Sequence, residues 1–117
     1  MSADRDESGV LRAELEGIRT LLRHAAEAGR TAFSRDSVSY AAAAMAVIRL
    51  QSLLEDRRFA VLHAGLTPTE ARGIRVTRNI ATHSGYRDMN DEEFWITTID
   101  RMPALVERLI RHVGGHG

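Results

Sequence analysis

Apolar residues recur at Leu11, Leu15, Ile18, Leu22 and Ala25, in alternating steps of four and three. That spacing lays them along one stripe of an α-helix, and such a stripe is stable only when other elements cover it. The same period governs residues 38–54. There Val38, Ala41, Ala42, Met45 and Ile48 lie along one side, and Val47, Leu50 and Leu54 widen the apolar face. Ala41 to Ala44 and Ala46 permit close helix approach. So wide a face predicts a central helix, covered by its own bundle and by a second subunit. No strand-like alternation, internal repeat or low-complexity linker interrupts the pattern. The expected fold is all-α, an antiparallel bundle of four to five helices.

Local signals set the boundaries. Residues 1–7 are polar and expected to fray, so the first helix spans about 8–28 and stops at Gly29. Ser34 is the expected cap of the second helix. That helix ends near Arg57 or Arg58, with a further helical turn at 59–64 broken by Gly65. Thr67-Pro68-Thr69-Glu70 combines an N-cap, a first-turn proline and a capping-box acid. The third helix runs from Pro68 to Thr82 or His83, with Gly85 as terminator. Asn90 and Glu93 start a fourth, with Met89 and Phe94 as a hydrophobic staple. Pro103 is expected to break this last helix. Residues 1–113 form one domain and 114–117 a disordered tail.

Charge and cysteine usage narrow the function. Sixteen basic and sixteen acidic residues balance to zero, which excludes a globally basic nucleic-acid binder but not a local basic patch. The absence of cysteine removes disulfides and thiolate metal sites. No segment has the run of about 20 apolar residues that a membrane span needs. The acidic N-terminus is no signal peptide, so a cytoplasmic protein is expected.

The stretch 72–86, RGIRVTRNIATHSGY, contains no acid. It carries Arg72, Arg75, Arg78, Asn79, His83 and Tyr86, and Arg87 follows. Arginine binds phosphate through a planar fork, and histidine gives and takes protons near neutral pH. Together they suit RNA cleavage without a metal: the ribose 2′-hydroxyl attacks the adjacent phosphate while arginine stabilises the added charge. Arg78 and His83 are five residues apart, roughly 140° around a regular helix, so they converge only where the helix end loosens. A solvated helix face explains the same spacing. His24 and His63 have no partners at ligand spacing, and His112 and His116 sit at the end of the chain, so no metal or other cofactor is expected.

Arg78-Asn79-Ile80-Ala81-Thr82-His83 resembles the R-x4–6-H motif of the HEPN superfamily. The continuation is similar to its HepT-like family: Tyr86, the acidic turn at 90–93, Trp95 and Pro103, with Glu55 near the end of an alanine-rich second helix. The resemblance covers roughly 34–110. It implies a homodimeric helical bundle and a metal-independent endoribonuclease toxin, silenced by a minimal nucleotidyltransferase antitoxin of the MntA type (a type VII-like pair). Carried over, Arg78 and His83 are catalytic and Asn79 supports them. Tyr86 is the adenylylation target, and Arg72, Arg75 and Arg87 bind RNA phosphate. The family commonly reads H-x-Y, whereas this chain has one residue more between His83 and Tyr86. The alternatives are a non-catalytic HEPN module that binds the nucleotidyltransferase or a nucleotide, and a plain helical dimer.

Overall fold

The structure, a computed structural model, describes residues 3–34, 36–82 and 91–114. Five α-helices follow in order: α1 (Ala3–Ala28), α2 (Val38–Glu55), α3 (Pro68–Thr82), α4 (Asp91–Trp95) and α5 (Met102–Gly114). Short 3-10 segments occupy Arg30–Ala32 and Arg57–Gly65, and a π-helical turn, Ile96–Arg101, joins α4 to α5. No strand occurs among the described residues. Nor is any helix among them long and apolar enough to cross a membrane.

Every member of the first apolar stripe, from Leu11 to Ala25, is buried. α1 itself starts at Ala3, earlier than the expected start at Ser8. No Gly or Pro lies between 3 and 8, and extending a formed helix gains a hydrogen bond for each residue fixed. α1 runs antiparallel to α2 and to α5. Arg49 meets Glu14 at 2.9 Å on one side of it, and Arg19 meets Glu107 at 3.0 Å on the other.

The cap of α2 is Ser37 and not Ser34. Ser37 adjoins the first helical residue with extended backbone, and its Oγ accepts from the Tyr40 amide at 3.0 Å. Ser34 instead closes the preceding turn, its carbonyl accepting from Ser37 Oγ at 2.7 Å. The side of α2 bearing Val47, Leu50 and Leu54 enters the core. The Val38–Met45 side does not: Val38 is 76% and Met45 47% exposed. The flanks of α2 are taken by α1 and α3, and no helix among the described residues covers that outward stripe.

The break expected at Pro103 lies just before it, as the π turn, and Pro103 is the second residue of α5. Proline has no N–H, and its ring collides with the carbonyl four residues back. Widening the preceding turn relieves that clash: the Met102 amide bonds Thr97, five residues back. Thr98 is fully buried, and its hydroxyl donates to the Phe94 carbonyl at 2.7 Å. Gly114 belongs to α5, so the tail expected from 114 starts later, and 115–117 lie outside the described residues. The Gly85 stop, the Asn90 cap and the Met89 half of the staple also lie outside them.

Sequence periodicity does not show the aromatic cluster of Phe33, Tyr40, Phe94 and Trp95. Phe33 packs edge-on to Trp95 at 5.1 Å, and Tyr40 stacks on Phe94 at 4.6 Å. The cluster fastens the end of α4 to the first turn of α2 and the segment that leads into it. Phe94 is fully buried, so Phe94→Ala is expected to cost about 3–5 kcal/mol. Urea unfolding checks this, and a loss below about 1 kcal/mol would contradict that packing role.

Candidate functional site

α3 carries the arginines, and its start is fixed as the sequence pattern requires. The Thr67 amide donates to Glu70 Oε1 at 2.9 Å, and the Glu70 amide donates to Thr67 Oγ1 at 3.1 Å. This is the reciprocal capping box. Arg108 of α5 joins it, with Nη2 at 2.6 Å from Glu70 Oε1, and also donates to the Gly65 carbonyl at 3.2 Å. The Arg108 hydrogen bond, and after it the Thr67 amide, hold the Glu70 carboxyl below the usual carboxylate range.

A three-residue step on a helix falls about 60° short of a full turn. Arg72, Arg75 and Arg78 therefore fan around α3 instead of stacking. Arg72 and Arg75 are exposed, and Arg72 faces α5 across a groove. Arg78 turns to the opposite flank and meets the last residue of α2. Its Nη2 lies 3.2 Å from Glu55 Oε2, with 31% of the Arg78 side chain and 57% of the Glu55 side chain exposed. Gln51, one turn earlier on α2, donates Nε2 to the same Glu55 oxygen at 3.0 Å.

Two atoms of this group are left over. Arg78 Nε and Gln51 Oε1 are buried and have no hydrogen-bond partner. One is a donor and the other an acceptor, both within reach of one carboxylate. Gln51 is only 7% exposed on an otherwise apolar face. A buried glutamine four residues before a glutamate is the signal that points to this network, and sequence reading passed over Gln51.

Asn79 is exposed, as befits its place in the final turns of α3. The Thr82 hydroxyl donates to the Arg78 and Asn79 carbonyls at 3.1 and 3.3 Å, satisfying groups that the helix end leaves open. Regular helix is described through Thr82. His83, Tyr86 and Arg87 lie outside the described residues. The structure thus brings Arg78 to Glu55 and Gln51, and sets Arg72 and Arg75 apart from that group. Among the described residues no three His, Asp or Glu side chains come together as metal ligands.

Comparison with protein-family models, curated proteins and solved structures finds no match.

Two outcomes test this description. Glu70 has a lowered folded-state pKa, so its contribution to stability is present above its unfolded value and fades as pH falls through the folded one. Unfolding titrations of Glu70→Gln should show a weaker loss of stability on acidification than the parent; identical profiles would contradict the Arg108 contact. Gln51→Leu removes a buried acceptor that has no donor together with the Nε2 bond to Glu55, so the two effects offset and the urea midpoint should change little. A loss above about 3 kcal/mol, more than that one bond supplies, would show that this oxygen is satisfied in solution.

Proposed function

We propose that the chain is a metal-independent endoribonuclease acting through Arg78 and His83. The observation that carries the reading is the setting of Arg78. Its guanidinium is half-buried at the end of α3, oriented by Glu55, with a buried Nε that has no partner. A fixed guanidinium with a spare donor suits a phosphate whose charge grows in the transition state. His83 follows directly on the last described helical residue.

In this reading the ribose 2′-oxygen forms a bond to phosphorus and the bond to the 5′-oxygen breaks. The proton leaves the 2′-hydroxyl and another reaches the departing 5′-oxygen, with His83 as the acid–base group. The products are a 2′,3′-cyclic phosphate and a free 5′-hydroxyl. DNA lacks the attacking hydroxyl and is refused. Arg72, Arg75 and Arg87 add phosphate contacts, and Asn79 supports the pair.

The exposed stripe of Val38, Ala41 and Met45 on α2 supports a homodimer, since a second copy would cover apolar surface the chain leaves bare. The resemblance to HepT-like proteins supports a toxin paired with a minimal nucleotidyltransferase in the cytoplasm. Transfer of AMP to Tyr86 would place bulk and negative charge where RNA phosphate binds.

The Glu55 contact also favours the second reading, a HEPN module that binds nucleotidyltransferase or nucleotide without cleaving RNA. A carboxylate already on the guanidinium competes with phosphate.

The deciding experiment incubates purified protein with end-labelled RNA in the presence of a chelator. Cleavage with cyclic-phosphate ends is expected, and Arg78→Ala and His83→Ala each lower the rate about 100-fold or more. Intact RNA beside a stable nucleotidyltransferase complex would leave the non-catalytic reading. Unchanged cleavage by both variants would remove this site from the chemistry.

A further inference from the structure

On the flank of α3 away from Arg78 lies a groove of about 540 Å³, between α3 and the π turn with α5. Its floor is Val47 of α2, itself fully buried. Ile74 stands on the α3 wall and Met102 and Leu105 on the opposite one. The volume lies within the range of about 300–1,000 Å³ usual for small-molecule sites.

The charge of this groove is one-sided. Arg72 lines it from α3 and Arg101 from the π turn. Neither has an ion pair or hydrogen bond among the described residues. Glu70 is the one acid in the lining, and its carboxylate is engaged by Arg108 and the Thr67 amide. Among the described residues, two unpaired guanidinium groups thus flank an apolar trough with no free carboxylate to balance them. The wall that carries Arg101 is π-helical, a distortion often found at functional sites.

We propose that this groove binds a small anionic amphiphile, a molecule with one apolar body and one carboxylate or phosphate head. The body lies on Ile74, Val76, Met102 and Leu105, above the buried Val47, and the head sits between Arg72 and Arg101. A neutral molecule would leave both cations unpaired, and a cationic one would be repelled. The site meets the ribonuclease reading only at Arg72, an outlying phosphate contact there, and contains neither Arg78 nor His83.

Decanoate below its micelle-forming concentration is the probe, with titration calorimetry and methyl NMR on the full chain. Binding of one molecule per chain is expected, with shifts at the methyls of Val47, Ile74, Met102 and Leu105. Decyl phosphate should bind as well, and decanol and decyltrimethylammonium should bind about tenfold more weakly or not at all. The double variant Arg72→Gln/Arg101→Gln should weaken decanoate by a similar factor. Gly73→Leu is the blocking variant: Gly73 lines the groove, a Cβ there meets nothing within 4 Å, and leucine is the better helix former. It should fold and lose binding. The proposal is overturned by absence of decanoate binding, by shifts elsewhere, or by equal binding of decyltrimethylammonium. Undiminished binding by either variant overturns it too, as does binding to phosphatidylglycerol vesicles without binding of the monomeric probes.

Discussion

The Glu70 carboxylate is the tie on which the position of α3 depends. α3 contributes only Ile74 and Thr77 as buried side chains. At about 25 cal/mol per Å² of apolar area, so small a buried surface holds a helix weakly compared with the continuous stripes of α1 and α5. Glu70 supplies what packing does not. It closes the helix start upon itself through Thr67 and anchors it to α5 through Arg108, which also holds the Gly65 carbonyl. At the far end Glu55 takes Arg78. A helix tied to α5 at its start and lightly packed beyond it exposes most of its circumference.

That exposure is what gives α3 two chemically distinct flanks. The three-residue spacing of its arginines turns each one further round the axis, so Arg72 and Arg78 cannot share a ligand-sized site. Arg78 joins a polar group built from α2, whereas Arg72 faces the apolar groove towards α5. The groove exists because α3 packs along α2 without closing on α5, and because the π turn forced by Pro103 presents Arg101 there.

The helical class and the core stripe were legible because burial follows a period of 3.6 residues, and Leu11 to Ala25 obey it without exception. The α3 start was equally legible, since a capping box is a local interaction that fixed spacing encodes. Ser34 and Ser37 were harder to separate: both oxygens suit a cap, and only the backbone at Ser37 decides. Of the candidate site, Arg78 was readable as one arginine of the acid-free stretch at the end of α3. Gln51, which shares the Glu55 carboxylate with it, was not, because the approach of α2 and α3 at their ends is a tertiary contact that no short sequence window contains. Arg101 escaped notice for the same reason: its meaning comes from facing Arg72 across space.

The Glu55–Arg78 pair carries a tension that decides how such a site works. The carboxylate orients the guanidinium, yet it occupies donors that a phosphate would use. Glu55 is more than half exposed, so the pair is worth about 0–1 kcal/mol and is screened by salt. A phosphate offers several acceptor oxygens and matches the guanidinium fork in two places, a stronger contact than the single Nη2 bond to Glu55. Arg78 Nε, buried and without a partner, loses nothing by turning to such a ligand. In the proposed ribonuclease Glu55 would act as a placeholder, holding the Arg78 guanidinium when the site is empty and yielding when an anion arrives.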